Sequence, residues 1–129
     1  MVPIVTHFLT QNDCYQAQRT ILPKGIMVHS TGVAQSNPMV FLQSWNRPGV
    51  EVCVHALVSE NRIIQTLPWE HRGWHAGTGT TGRSANNTHI SFEICEDSLA
   101  DASYFEAVYQ KAVELTAYLC GLYNLDPLE

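Results

Sequence analysis

Positive charge is scarce in this chain. Seven Lys and Arg stand against twelve Asp and Glu in 129 residues, a formal net charge of −5 with histidines neutral. That balance argues against a nucleic-acid partner, which favours a basic face. Long apolar runs are missing as well, and none approaches the roughly 20 residues that a membrane span needs. The opening "MVPIVTHFLTQND" has neither the basic start nor the apolar stretch of a signal peptide. Cys14, Cys53, Cys95 and Cys120 form no CxxC pair, which excludes a cysteine-only zinc finger and gives no sign of a disulfide framework. Two of them sit in apolar strand-like runs, where a reduced cysteine behaves as a small hydrophobe. No HExxH, no phosphate-binding Gly-Lys-Ser/Thr, no repeat and no low-complexity tract occurs.

What is present fits one domain with one core: 45% hydrophobic and 15% charged residues. Asn12 to Thr20 predicts one or two helical turns capped by Asn12 or Asp13. "GIMVH", ending at His29, reads as a short buried strand between glycines. Asn37-Pro38 opens a helix through Trp45, closed by the turn Arg47-Pro48-Gly49. Val50 to Val58 is the clearest strand, and Arg62 to Leu67 follows it as the second arm of a hairpin. Trp69 to Asn87 is a long stretch rich in Gly, Thr, Ser and Asn, of the kind that forms a binding wall or lid. His89 to Cys95 is a further strand. Ser103 and Glu106 match a capping box. Phe105, Val108, Tyr109, Ala112, Leu115, Thr116 and Leu119 then recur at helical spacing, with Gly121 as a C-terminal stop. The expected fold class is α/β, a central mixed β-sheet flanked by helices.

Six histidines are the unusual feature. His7 and His71 lie in polar, loop-like surroundings. His29, His55, His75 and His89 sit at strand edges or beside glycines. Parity in the strand "HISFEIC" puts Ile90, Phe92 and Ile94 on one face and His89, Ser91, Glu93 and Cys95 on the other. A carboxylate in mid-strand either faces water in a cleft or has a cationic or metal partner, because an unpaired buried one costs several kcal/mol. If the faces carrying His29, His55 and Glu93 coincide, they form a floor of the His/carboxylate type that zinc accepts. His55 on its own reads as a hydrogen-bonded core residue. Trp74 and His75 open a glycine-flexed wall whose aromatic, imidazole and small polar groups suit a sugar or peptide.

"GIMVHSTG", "VCVHALVSENRIIQTLPWEHRGWHAG" and "NNTHISFEIC", in that order and spacing, resemble the zinc-dependent N-acetylmuramoyl-L-alanine amidases of the type 2 amidase and peptidoglycan-recognition-protein fold, with the endolysins and autolysins of Gram-positive bacteria and their phages the most similar. The likeness runs from about Leu9 to the end of the long helix. It implies cleavage of the amide between N-acetylmuramic acid and L-alanine in peptidoglycan. It assigns His29 as a zinc ligand and Glu93 as general base. Trp74, His75 and Asn87 become substrate-binding residues, while His55 and His89 match non-ligand positions. In relatives that lack the glutamate a tyrosine on the earlier strand serves; the matching residue here is Val54.

The family's second histidine and its Asp or Cys ligand lie after the long helix, in segments this sequence does not reach. The expectation is therefore that residues 1–129 are the N-terminal portion of a single catalytic domain. Its zinc site would be incomplete and the chain inactive alone, with a homo-oligomer formed through an uncovered sheet edge. The alternative is a catalytically dead module that binds muramyl peptide. Without a signal peptide, the expected route is cytoplasmic accumulation and release to the cell wall, or non-classical export.

Overall fold

A computed structural model describes residues 3–98 and 101–128. Its elements in chain order are β1 (Ile4–Thr6), α1 (Asp13–Gln16), β2 (Gly25–Ala34), α2 (Pro38–Trp45), β3 (Ala56–Val58), β4 (Ile63–Gln65), a 3-10 turn (Ala85–Asn87), β5 (His89–Glu96) and α3 (Ala102–Tyr123). The five strands form one sheet in the order β1-β4-β3-β5-β2. β1 with β4, β3 with β5 and β2 with β5 run parallel, while β3 and β4 form the antiparallel hairpin. This is the mixed α/β sheet the sequence predicts.

Alternation along the strands splits the core into two layers. Ala56, Val58, Ile63, Ile90 and Phe92 pack on one face against Tyr104, Val108, Ala112, Leu115 and Leu119 of α3. Leu57, Ile64 and Cys95 pack on the other against Cys14 of α1, Leu42 of α2, Leu9, Cys53, Val54 and Leu67. One-residue steps such as Ile63 to Ile64 thus feed opposite layers, which fixes the register. The sheet face away from α3 is where Glu93 emerges, since Phe92 and Ile94 beside it belong to the α3 side.

Several local expectations are corrected. The run Val50 to Val58 forms a ladder only at Ala56–Val58; ahead of it Cys53 makes an isolated bridge to Trp74. The run is diverted to hold a loop rather than a neighbouring strand. The strand through His29 is not buried: β2 is a ten-residue edge strand, with Val28 51% exposed. Asp101, not Ser103, caps α3, its carboxylate accepting the backbone N–H groups of Ser103 and Tyr104. Gly121 lies within the helix, which ends at Asn124 in the left-handed conformation (φ 53°). Asparagine tolerates that conformation and closes the last turn as glycine would. Phe105 and Tyr109 belong to the helical pattern but face outward, stacked on each other at 5.8 Å. α1 and α2 form where predicted, each with an asparagine cap, Asn12 and Asn37.

Leu115 is fully buried between α3 and the sheet. Leu115→Ala is expected to cost about 2–5 kcal/mol in urea unfolding, whereas Phe105→Ala should change stability by less than about 1 kcal/mol.

Candidate functional site

His29 and Glu93 are direct partners in the parallel β2–β5 ladder. Register partners point to the same side of a sheet, and adjacent strands lie about 4.8 Å apart, so both side chains rise from one spot. The Glu93 carboxyl is half-buried, and burial raises its pKa above the usual glutamate value. Burial also lowers the pKa of His29. The sequence brings them together because each sits at an alternating position in a strand whose other face is committed to the α3 side.

Facing them is the wall that starts at Trp74. Its backbone is pinned to Cys53 by two hydrogen bonds, Trp74 N to Cys53 O at 2.9 Å and Cys53 N to Trp74 O at 3.1 Å. Gly73 makes that approach possible: a methyl there would sit 3.1 Å from the Cys53 carbonyl oxygen, 3.1 Å from the His75 ring and 3.3 Å from the His55 ring. His75 then reaches the floor, with its Nδ1 3.2 Å from His29 Nε2 and the two rings edge-on at 5.3 Å. Burial first, then the neighbouring His55 and His29, lower the His75 pKa to about 3. It stands as a neutral imidazole at physiological pH.

Behind the wall, His55 is fully buried. Its Nδ1 accepts the Ser91 backbone N–H at 3.0 Å, which leaves the proton on Nε2, and Nε2 donates to the His71 carbonyl at 2.7 Å. Desolvation lowers its pKa to about 4. His55 is therefore the hydrogen-bonded core residue its sequence position suggested, although its ring lies 6.5 Å from that of His75. Asn86 completes the support. Its side-chain oxygen accepts the N–H groups of His75 (2.7 Å) and Ala76 (3.0 Å), and its amide donates to the Ala76 carbonyl (3.0 Å).

The structure thus gathers His29, His75 and Glu93 and puts Trp74 on the outer lip, 42% exposed. Arg19 and Arg72 flank its ring, their guanidinium carbons 5.9 and 5.7 Å from the centroid. Asn87 is exposed and accepts from Arg72 Nε at 2.7 Å, so it reaches the site only through that arginine. Sequence reasoning selects Asn87 and passes over Asn86, Arg19 and Arg72. Ser84, which caps the 3-10 turn by accepting from Asn86 N, is the available signal that the first asparagine turns inward. Nothing local to the sequence puts Arg19 against Trp74, because that contact spans the fold.

The zinc implied by the resemblance needs a closed donor set. Among the described residues no group of three or more His, Cys, Asp or Glu is placed to hold a metal ion. His29 and His75 offer two imidazoles, and structural and catalytic zinc sites take at least three protein ligands. The described residues do not by themselves fit the metal.

Residues 17–129 match the sequence pattern of the N-acetylmuramoyl-L-alanine amidase family. The chain is 30% identical over 103 residues to N-acetylmuramoyl-L-alanine amidase CwlH of Bacillus subtilis, an overlap of 78% of this chain and 41% of CwlH. It thus matches less than half the length of that curated relative. Among solved structures, a mutant endolysin from Bacillus subtilis superposes with a TM-score of 0.80 at 28% identity, covering 98% of this chain and 80% of the other. PlyL gives a TM-score of 0.80 at 26% identity, covering 97% and 77%.

The buried His55 sets an acid limit on the fold. Its folded pKa of about 4 lies below the ordinary 6.5, so the unfolded chain takes up the proton first as pH falls. Stability from this residue is full above about pH 6.5 and is lost as pH drops toward 4, on the order of 3 kcal/mol in total. Glu93, with its raised pKa, works in the opposite sense. The urea midpoint is expected to fall between pH 7 and pH 4.5, and a constant midpoint would contradict the neutral, buried His55.

Proposed function

The chain belongs to the N-acetylmuramoyl-L-alanine amidase family, and on that premise we propose that it carries the substrate floor and wall of a peptidoglycan amidase. The bond attacked is the amide between the lactyl group of N-acetylmuramic acid and L-alanine. The observation that carries this reading is the ladder pairing of His29 with Glu93 opposite His75. A carboxylate with a raised pKa, held in a fixed place beside neutral imidazoles, suits a group that takes a proton from an attacking water and passes it to the leaving amine. Trp74 gives a flat face for a sugar ring, and the flanking Arg19 and Arg72 suit the carboxylates of the stem peptide. Asn86 and His55 keep the wall in register with the floor.

Zinc is part of this reading only through His29, as one ligand, and no step is assigned to the metal. Among the described residues no group of three or more His, Cys, Asp or Glu joins it to close a site. We therefore propose that these 129 residues bind peptidoglycan but do not cleave it alone. A second reading, a dedicated muramyl-peptide binding module, draws on the same incomplete donor set, and Glu93 favours the enzyme. The outer edge of β2, which among the described residues pairs as a strand only with β5, is where a second copy would pair in the homo-oligomer that the sequence suggests.

Two measurements on the chain test the proposal. Elemental analysis after dialysis against trace zinc should give far less than one zinc per chain; a value near one means these residues build a complete site, and the inactivity argument fails. The chain should co-sediment with purified peptidoglycan, and Trp74→Ala should weaken that binding roughly tenfold or more, in line with loss of an aromatic anchor. In a metal-complete amidase containing this sequence, Glu93→Gln should lower kcat by about 10²–10⁴-fold. Release of new L-alanine amino groups at an unchanged rate would remove Glu93 from the reaction.

A further inference from the structure

The segment that leads into the wall also lines a second concave surface. It is an open cavity of about 490 Å³ bordered by Phe8, Trp69 and Tyr123 together with Thr20, Gln65 and Glu70, and by none of His29, His75, Glu93 or Trp74. Distant parts of the chain hold it in shape. The Pro68 carbonyl accepts the His71 N–H at 2.9 Å, a turn with Trp69 and Glu70 at its two central positions. Trp69 and Tyr123, the last residue of α3, are half-buried and pack against the core layer beneath that helix. On either side of Phe8, the His7 N–H donates to the Gln65 carbonyl at 2.8 Å and the Leu9 N–H to that of Thr66 at 3.0 Å. The Gln65 side-chain amide donates to the Leu67 carbonyl at 3.1 Å. His71 also borders the cavity, with its ring 5.9 Å from that of Tyr15 and its Nδ1 buried without a protein hydrogen-bond partner.

This cavity and the lip share one piece of backbone. Thr20 and His71 are antiparallel bridge partners, flanked by hydrogen bonds from the Arg72 N–H to the Arg19 carbonyl at 2.7 Å and from the Ile21 N–H to the Glu70 carbonyl at 2.8 Å. Alternation along such a pair sends Thr20 and His71 to one side and Arg19 and Arg72 to the other. The first two border the cavity, and the second two lie against the Trp74 ring. One short ribbon thus carries the lip on one side and the cavity on the other.

We propose that the cavity binds an uncharged N-acetylhexosamine of the glycan strand, a sugar site separate from the place where the amide is cut. The proposal rests on the peptidoglycan reading above and adds a second contact to it. Three aromatic rings give flat faces for the C–H surface of a sugar ring. The Gln65 amide, the Thr20 hydroxyl and the Glu70 carboxylate supply donors and acceptors for its hydroxyl and acetamido groups. A carboxylate with no Lys or Arg among the described lining residues disfavours the acidic stem peptide, whose carboxylates suit the two arginines at the lip. The two sides of the ribbon then divide the polymer by charge. Two weak contacts on one polymer raise the effective concentration of each for the other.

The test is an intermolecular NOE measurement on the unmodified 129-residue chain, titrated with chitotriose (three linked N-acetylglucosamine units) and, separately, with a stem tripeptide. The expected result is saturable binding of chitotriose with a Kd on the order of millimolar, and NOEs from its protons to the Trp69 and Tyr123 rings. Glu70→Ala, at an exposed position, is expected to weaken that binding threefold or more, while Trp74→Ala leaves those NOEs in place. No saturable binding up to about 20 mM chitotriose would overturn the proposal. So would sugar NOEs confined to Trp74, or NOEs from the tripeptide at Trp69 and Tyr123. The decisive NOE map comes from the unmodified chain and does not depend on whether a variant folds. Failure of the amidase reading shows itself elsewhere, in co-sedimentation and at Glu93, so the two failures are told apart.

Discussion

One imidazole holds the architecture of the site together. His55 accepts from Ser91 on β5 and donates to His71 just ahead of the wall, while its own carbonyl accepts the Thr66 N–H beyond β4. A neutral histidine is suited to this place because it offers one acceptor and one donor on opposite sides of a rigid ring. Sealed from water, it fixes the distance between sheet and wall without a charge. Protonation would place a hydrogen against the Ser91 N–H, so the network holds only in the neutral form. The other parts of the site depend on that fixed separation.

The wall is held mainly by backbone groups. Asn86 uses its amide as a substitute strand for His75 and Ala76, Cys53 pairs with Trp74, and Gly73 contributes the missing methyl that lets the wall sit close. The chemical side chains therefore ride on a frame that tolerates change at the lip. Trp74, Arg19 and Arg72 form an outer layer in which both guanidiniums lie against the Trp74 ring. An inner fixed layer and an outer adjustable one suit a substrate with a constant bond to be broken and variable appendages.

The mixed sheet, the two early helices and the long helix are legible in the sequence because hydrophobic periodicity and asparagine caps are local signals. Parity correctly separates Glu93 from Phe92. The shortening of the Val50–Val58 strand is not legible. Its residues have strand propensity throughout, and only the tertiary pairing of Cys53 with Trp74 takes the first half out of the ladder. The cap of α3 lies two residues earlier than expected: Asp101 completes no capping box with Tyr104, yet its carboxylate reaches two backbone N–H groups. His29, Glu93, Trp74 and His75 come from motif and resemblance. Asn86, Arg19 and Arg72 need the fold, since their meaning lies in what they touch.

The pairing of His29 with Glu93 across a parallel ladder has a consequence for how such a site can vary. Their separation is not a continuous quantity that side-chain replacement can adjust. A slip of one residue turns one of the two groups to the opposite face, beside α3. The next permitted position is two residues along, about 6.6 Å away. The geometry of this pair is thus quantised by the strand repeat. Variation falls instead to the lip, where Trp74, Arg19 and Arg72 lie outside the ladder.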